Sequence, residues 1–350
     1  MTLELTTEQQ DLQTSLRASL ARTAPGQNVW SALLDMGLTE IAFPEEFGGA
    51  GFTLKDTAVV MTELGRSLGA APYFSSVALA GLTLLHAGSD AGRSAYLPAI
   101  ADGSTRAALV AAYPFHESSV TADPGADDTV LLNGTQDTVV DGADADLLIV
   151  VAAGADSLEL AVIDASADGV TRTRRETLDP TRGLDRIEFD GASARLVSGD
   201  HVLDGLHTAA AAAITALAAE QVGAARACLE MSVDYAKTRT QFGRAIGSFQ
   251  AIKHRLTDVL VSVELAEAAV LDAAGADGRS AGEFIVAAST ARVLASRAAM
   301  FSAEESIQVH GGIGFTWEHP LHLYFRRAKT SELLLGDTTV HNDAVASALV

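Results

Sequence analysis

Cysteine is almost absent from this sequence: Cys228 is the only one among 350 residues. A single thiol excludes an internal disulfide and a metal site built from several thiolates, so we interpret Cys228 as a small buried group on an alanine-rich helix. Basic residues are also few, since 24 Lys and Arg stand against 45 Asp and Glu and the formal net charge is −21. Because a strongly negative surface repels phosphate groups, nucleic acid and anionic membranes are excluded as partners.

Signals for export, membrane insertion and nucleotide-binding sheets are lacking as well. The start, MTLELTTEQQ, has no basic segment followed by an apolar run, so we predict no secretory signal. The most apolar run, AAAAAITALAA at 209–219, is shorter than the roughly 18 residues of a membrane span. Neither GxGxxG nor GxxxxGK[ST] occurs in the sequence. We therefore predict a cytoplasmic protein without a parallel nucleotide-binding sheet.

The spacing of apolar residues changes twice along the chain, which predicts three domains. Residues 1–105 show the three- and four-residue spacing of helices. Residues 106–202 alternate with a period of two, and the pairs Asn133-Gly134 and Asp141-Gly142 predict hairpin turns. Residues 203–350 return to helical spacing, in predicted helices at 203–237, 248–275 and 279–309 with one or two more after Trp317. The predicted fold class is α+β: an N-terminal helical domain, a middle antiparallel β domain and a C-terminal four-helix bundle.

Two stretches of the last region differ from ordinary bundle sequence. The first, RTQFGRAIGSFQAIKHRLTD at 239–258, places a tight turn between two helices, and the second, QVHGGIGFTWEHP at 308–320, ends a helix with three glycines. Glycines let a backbone approach a ligand closely and expose N–H donors, while an arginine can bind a pyrophosphate. Either stretch alone is explained as well by a turn or a helix cap. Their occurrence together predicts a binding site.

Together, and in this order behind the loop FPEEFGGAG at 43–51, the two stretches resemble the acyl-CoA dehydrogenase family. The resemblance covers essentially the whole chain and implies the family's helical domain, β domain and bundle, with FAD as cofactor. It also implies that Arg239 and Phe242 of the RxxFG turn, with Gln308 and Gly312 of the QxxGG segment, hold the adenosine-pyrophosphate half of FAD across a subunit boundary.

The resemblance does not extend to the catalytic base. Such an enzyme removes a proton from the carbon α to a thioester with a carboxylate and passes a hydride from the β carbon to the flavin. Counting from Arg326-Arg327-Ala328-Lys329 places Leu335 at the family's usual glutamate position. Counting about 29 residues back from Phe242, to the family's second location, leads to Ala213. Neither side chain can accept a proton.

Three carboxylates lie near these two positions in the sequence. Asp337 and Glu332 flank the leucines and are the alternatives for a relocated base. Glu220 is the nearest carboxylate on the helix of Ala213, two turns away, and we expect it on a different face.

The β region also departs from the family's pattern. The segment AAYPFHESSVTADPG at 111–125 stands where the family has a Thr-Glu-Pro-x-Ala-Gly-Ser-Asp loop, and Thr138-Val139-Val140 stands where it has a Trp-containing strand. Those family elements bind the flavin ring. The resemblance therefore implies that the adenosine end of the FAD site is kept and that the ring end and the base are lost.

This pattern resembles the short, non-catalytic subunit of hetero-oligomeric (α2β2) acyl-CoA dehydrogenases from bacteria that degrade sterols and similar bulky CoA thioesters. The implied partner is a catalytic acyl-CoA dehydrogenase subunit, and the implied acceptor for the complex is an electron-transfer flavoprotein or a similar carrier. Two alternatives stay open: a self-sufficient homo-oligomer that uses Asp337 or Glu332, and a flavin-free scaffold. Absorbance of the purified chain, alone and with a partner, separates the three.

Two further expectations concern the bundle. The alanine-rich face at 208–219 and the apolar positions at 284–301 predict oligomerisation through this region. Four histidines there, at 310, 319, 322 and 341, lack the spacing of metal ligands beside a carboxylate, so we predict no metal site.

Overall fold

The computed structural model describes residues 4–115, 117–276 and 278–348. Its first part is helical: α1 (Thr7–Leu20), α2 (Trp30–Asp35), α3 (Leu54–Ser67), a π-helical segment (Tyr73–Gly81) that leads into α4 (Leu82–Ala87), and α5 (Asp90–Ala101). Local sequence sets two of the starts, because Thr6 and Thr53 form capping boxes with Gln9 and Asp56. The predicted FPEEFGGAG loop contains only a short 3-10 turn, Glu45–Phe47.

Seven strands form the middle region: β1 (Ala107–Val110), β2 (Val120–Pro124), β3 (Thr129–Val140), β4 (Leu147–Ala153), β5 (Leu158–Asp164), β6 (Val170–Arg174) and β7 (Leu184–Leu196). The pairing order β4-β2-β3-β7-β5 closes through β4 and β5 into a barrel. The α+β plan is confirmed, but the sheet is not antiparallel throughout. β4 pairs in parallel with β1 and, at one residue pair, with β2, because the chain returns to β1 only after forming the β2–β3 hairpin.

The predicted turn at Asn133-Gly134 is wrong. β3 continues through this pair to Val140, and the register against β7 shifts there, between Leu132 and Asn133. Gly134 has φ of +127°, and a Cβ at this position would lie 2.3 Å from the carbonyl oxygen of Ser119. Glycine therefore allows a β-bulge against a neighbouring chain segment rather than a reversal of the strand.

The C-terminal region consists of α6 (Val202–Thr238), α7 (Gln250–Ala274), α8 (Ala281–His310), α9 (Leu321–Leu333) and α10 (Thr338–Ser347). α6 is the central helix and packs against α3, α4, α7 and α8. It approaches α3 closely at two glycines, since a Cβ on Gly65 would lie 1.9 Å from the carbonyl oxygen of Glu220 and one on Gly223 would lie 1.8 Å from that of Thr62.

Burial inside the chain corrects the expected oligomer surface. Residues 209–219 are all buried by helices of the same chain, and most of the apolar side chains of 284–301 are buried or half-buried. Exposed apolar side chains lie instead on α7, at Leu260, Val261 and Leu265. A prediction of association through the bundle therefore rests on α7 and not on the alanine run.

Two helical segments, Val202–Thr238 and Ala281–Phe315, are long and apolar enough to cross a membrane, which corrects the length argument made from the alanine run alone. In their most apolar windows 78% and 56% of the residues are buried inside the fold, as in core helices. Helix changes to strand between Ala101 and Ala107, and strand to helix between Leu196 and Val202. We keep 1–105, 106–202 and 203–350 as the proposed domains.

Candidate functional site

A short hairpin projects from the end of α6. Arg239 follows the last helical residue, and strands β8 (Thr240–Gln241) and β9 (Arg244–Ala245) pair across Phe242-Gly243. Both loop residues have positive φ, +52° and +77°, as a two-residue type I′ turn requires. Phe242 is 92% exposed, so the turn presents its ring to the outside instead of burying it.

The second predicted segment lies at the end of α8. Gln308 is exposed in the last turn, and the helix gives way after His310 to a 3-10 turn, Gly311–Phe315. Gly311 has φ of +61°, and no atom lies within 4 Å of the position that a Cβ on Gly311 or Gly312 would take. The backbone here is open to a ligand.

The two helix ends are adjacent. The ring of Tyr235, in the last turn of α6, stacks on the ring of His310, with centroids 4.4 Å apart and planes at 23°. Arg239 and Phe242 therefore leave the bundle at the same end as Gln308 and Gly312. We call this region the hairpin end.

The groups at the hairpin end fit the adenosine-pyrophosphate half of FAD. The guanidinium of Arg239 is exposed and has no ion pair within the described part of the chain. Arginine and unhindered glycine N–H groups are donors that suit a pyrophosphate, and an exposed phenyl ring can pack against a nucleoside. Phe315 and Trp317 add two more aromatic rings here, each 75% exposed, and sequence reasoning gave them no role.

Leu335 lies in a different environment. The chain leaves α9 at Leu334 and passes through Leu335 and Gly336, which both have positive φ (+54° and +84°). The carbonyl oxygen of Leu335 is 2.8 Å from Nε2 of His341, a fully buried residue whose pKa burial lowers to about 4. The side chain of Leu335 packs against the main hydrophobic core, to which Ala213 also belongs.

Arg292 of α8 anchors this turn from inside the bundle. It is 1% exposed and donates to the carbonyl oxygens of Leu334, at 2.9 Å, and Ser331, and to Oε1 of Gln221, at 2.5 Å. Burial lowers the pKa of its guanidinium to about 10. The cation therefore binds the carbonyl end of α9, where a helix dipole favours positive charge.

An aromatic ring from the segment at 111–125 lies against Gly336. A Cβ on Gly336 would lie 2.8 Å from Cε1 of Tyr113, and the Tyr113 and His341 rings have centroids 5.4 Å apart. Phe115 is 1% exposed and belongs to the same core, while residue 116 lies outside the described residues. We call this packed region, around Leu335, Gly336 and Tyr113, the junction.

The two carboxylates named as relocated bases have other partners. Asp337 is the exposed N-cap of α10 and accepts from the N–H groups of Thr339 and Val340, at 2.8 and 3.2 Å, which lowers the pKa of its carboxyl. Glu332 pairs with Lys329 at 2.7 Å. A general base requires a carboxylate that is free to take a proton in a dry site, and neither environment provides that.

Glu220 is not on a different face from Ala213, since seven residues of α-helix return to nearly the same side. Its carboxylate binds Arg182 at 2.5 Å and Arg327 at 2.6 Å, and Arg327 also binds Asp179 at 2.5 Å. All four side chains are buried. Burial acts to raise the pKa of Glu220, but the two arginines outweigh it and hold the pKa below its usual value.

This buried network lines the floor of a cavity of about 760 Å³ between the helical regions and the β barrel. In the sequence, this network was indicated only by Glu220, an acidic residue at the end of an alanine-rich run. Among the described residues, no group of three or more His, Cys, Asp or Glu side chains could hold a metal ion.

Comparison with known proteins decides the family. Residues 6–104 match the model of the acyl-CoA dehydrogenase N-terminal domain, and residues 211–350 match that of the C-terminal domain. The acyl-CoA dehydrogenase IpdE2 of Mycobacterium tuberculosis is 38% identical over 316 residues, which cover 88% of this chain and 82% of that protein. The chain belongs to the acyl-CoA dehydrogenase family. Members of this family are flavoprotein oxidoreductases.

This acyl-CoA dehydrogenase family member is similar in structure to chains of two solved assemblies, each named for two different chains. A chain of the ChsE4-ChsE5 complex from Mycobacterium tuberculosis has a TM-score of 0.88 and 29% identity, with 100% of this chain and 99% of that one covered. A variant of the steroid ACAD Tcur3481-Tcur3483 also has a TM-score of 0.88, with 28% identity and coverage of 98% and 97%. The predicted family and its fold are thus confirmed.

Proposed function

We propose that this chain is a non-catalytic subunit of a hetero-oligomeric acyl-CoA dehydrogenase and completes the FAD site of a catalytic partner. The observation that carries the proposal is the packing at the junction. Leu335 and Ala213, at the family's two base positions, are apolar parts of the core, and Tyr113 lies against Gly336. Neither of these two side chains can remove the α proton.

The hairpin end supports the other half of the proposal. Arg239, Phe242, Gln308 and Gly312 are exposed on one side of the bundle, where they would contact the adenosine-pyrophosphate half of FAD bound to a neighbouring subunit. When bound, FAD supplies the hydride acceptor. The role of this chain is to hold its pyrophosphate: Arg239 offsets negative charge, and the glycine backbone permits close approach. At the junction the residues present do not fit a flavin ring, because Tyr113 and Phe115 pack there against the core.

The names of the similar proteins indicate the substrate class. One solved assembly is described as a steroid ACAD, so we propose a sterol-derived CoA thioester as the substrate of the complex. An electron-transfer flavoprotein or a similar carrier would accept the electrons. We propose a cytoplasmic location, since the apolar helices are largely buried within the fold.

Expression of the chain alone and together with a catalytic acyl-CoA dehydrogenase subunit encoded beside it tests the proposal. We expect a colourless chain alone, and a co-purified complex with the absorbance spectrum of a flavin. A yellow chain that dehydrogenates acyl-CoA alone, and loses this activity in Asp337→Asn or Glu332→Gln while keeping FAD, would show that it is a self-sufficient enzyme. A chain that stays colourless with every partner it binds would be a scaffold.

A further inference from the structure

The two segments assigned to FAD have little packing of their own. Arg239, Phe242 and Gln308 are exposed, and the backbone at Gly312 has no atom within 4 Å of its Cβ position. Arg239 and Gln308 also belong to different helices, α6 and α8. Because a pyrophosphate site depends on donors held at fixed positions, other side chains must set the distance between the segments.

Three neighbouring rings connect the segments. The ring of His310 stacks on that of Tyr235, with centroids 4.4 Å apart, and makes a tilted contact with that of His319, with centroids 4.5 Å apart and planes at 53°. Tyr235 is one turn before Arg239, whose N–H donates to its carbonyl oxygen at 2.8 Å. His310 directly precedes Gly311 and is itself buried. The three rings therefore join the end of α6, the end of α8 and the turn before α9.

The glycine segment also folds back onto His310. A Cβ on Gly314 would lie 2.8 Å from the carbonyl oxygen of Ile307 and 3.1 Å from Cβ of His310. The position of the 3-10 turn is thus fixed by the same residue that stacks on Tyr235. A movement of His310 would therefore change the distance between the two FAD-contacting segments.

His310 is held in a neutral form that a proton would disturb. Its Nδ1 is 2.8 Å from the carbonyl oxygen of Ser306 and donates to it, so the neutral ring leaves Nε2 unprotonated. The groups that face His310 and His319 are the Tyr235 ring of α6 and, on the other side, His322 with Arg326 beyond it. No carboxylate in the described part of the chain contributes to the pKa of His310 or His319.

Acidification acts against these ring contacts for this reason. Burial lowers the pKa of His310. The pKa of His319 is also lowered, mainly by burial and to a smaller extent by the neighbouring His310 and His322. Both values lie below the ordinary histidine value of about 6.5. As the pH falls below that value, separated segments bind more protons than packed ones, so separation becomes more favourable.

We propose that Tyr235, His310 and His319 form a pH-dependent clamp that holds the two FAD-contacting segments in position, an inference that rests on the proposed function. The three are positioning residues, since they act through Arg239 and the glycine backbone. With one proton taken up on release, FAD binding weakens by up to about tenfold for each pH unit below about 6.5.

The test uses the FAD-loaded complex of this chain with its catalytic subunit, stepped from about pH 8 to about pH 5.5, across the ordinary histidine pKa. Released FAD is measured by its fluorescence. His310→Phe keeps a flat ring and accepts no proton, so we expect it to retain FAD at the low pH where the native complex releases it. His207→Phe, an exposed histidine near the start of α6, is the matched control and should follow the native curve.

Coincident release curves for the native complex and His310→Phe overturn the clamp. If His310→Phe does not fold, proton NMR titration of the isolated native chain decides: a His310 midpoint below the ordinary value supports the clamp, and one at or above it overturns it. Arg239→Ala at pH 8 tests the proposed function separately. If Arg239→Ala keeps FAD, the pyrophosphate role fails whatever the pH curves show; if it loses FAD while the curves coincide, only the clamp fails.

Discussion

The hairpin end and the junction differ in what covers their side chains. At the hairpin end, Arg239 and Phe242 extend from the bundle and are exposed, and in the described part of the chain the Phe242 ring makes only an edge contact with that of Phe249, at 6.1 Å between centroids. At the junction, Leu335 is half-buried against the main core and Tyr113 lies against Gly336, and Ala213 is buried within the same core. An exposed set of ligand-type donors is useful only when another molecule completes it, whereas a packed core needs none. Under the proposed function, one family fold would thus keep a cofactor contact and lose a catalytic centre independently.

The buried charges beside the junction are expected to give the largest effect. Glu220→Ala leaves Arg182 and Arg327 buried without their shared carboxylate, so we expect a loss of about 3–5 kcal/mol in the free energy of unfolding. Asp146→Ala removes an exposed partner of Arg106 and should cost less than about 1 kcal/mol. Urea unfolding of both variants measures the difference. Similar losses of unfolding free energy would contradict the conclusion that the Glu220 pairs are buried and the Asp146 pair is exposed.

Two phenylalanines provide a direct comparison of the regions. Phe115→Ala empties a buried position and should cost about 3–5 kcal/mol of unfolding free energy. Phe242→Ala removes an exposed ring and should change the stability of the isolated chain by no more than about 0.5 kcal/mol. Thermal or urea unfolding of the isolated chain is the measurement. A strongly destabilised Phe242→Ala would mean that the ring packs within its own chain.

Arg239→Ala tests the hairpin end itself. Loss of one charge-assisted contact should weaken FAD binding by the complex by about 1.5–3 kcal/mol, or roughly ten- to a hundredfold. If the partner supplies the proton-abstracting group, as proposed, turnover should recover at saturating FAD. Arg22→Ala, an exposed arginine far away in the N-terminal helices, is the control and should leave FAD affinity unchanged. Titration with FAD, followed by flavin fluorescence, gives both affinities.

Leu335 is expected to give the smallest effect on turnover. In the complex, Leu335→Ala should leave the rate nearly unchanged, since no proton passes through this position. Leu335→Glu should not make the isolated chain active, because Tyr113 packs against Gly336 and, under the proposed function, this chain does not hold a flavin ring there. Steady-state assays with acyl-CoA check both. Activity gained by Leu335→Glu would show that the junction can open to substrate.

Local signals explain which parts of the fold the sequence predicts. α1 and α3 lie in the region predicted as helical from its periodicity, and capping boxes at Thr6 and Thr53 mark their starts. The turn expected at Asn133-Gly134 failed because Ser119, from another strand end, decides the conformation of that pair. The oligomer surface expected at the alanine run 209–219 was wrong for a similar reason. α3 and α4 cover this run, and the local sequence does not show that they pack against it.

The candidate site follows the same rule. The resemblance of the RxxFG and QxxGG motifs to those of the family selects Arg239 and Gln308, and these roles stay predictions. The histidines of this region lack metal-ligand spacing, so the sequence gives His310 no role. Its ring contact with Tyr235 joins residues on two different helices, and local sequence does not predict such a contact. Arg292 was not predicted either, since its partners in α9 lie about 40 positions along the chain.

The salt-bridge network around Glu220 also has a consequence for synthesis of the chain. Asp179 leaves the ribosome 148 residues before Arg327, and Glu220 leaves it 107 residues before. At a synthesis rate of about 5–20 residues per second, roughly 7–30 s pass between synthesis of Asp179 and synthesis of Arg327. During that interval the barrel carries a hydrated carboxylate on the surface that will later become its interface. The ion pairs of Arg327 with Asp179 and Glu220 therefore form only once α9 has been made, whereas Arg182 and Glu220 can pair earlier.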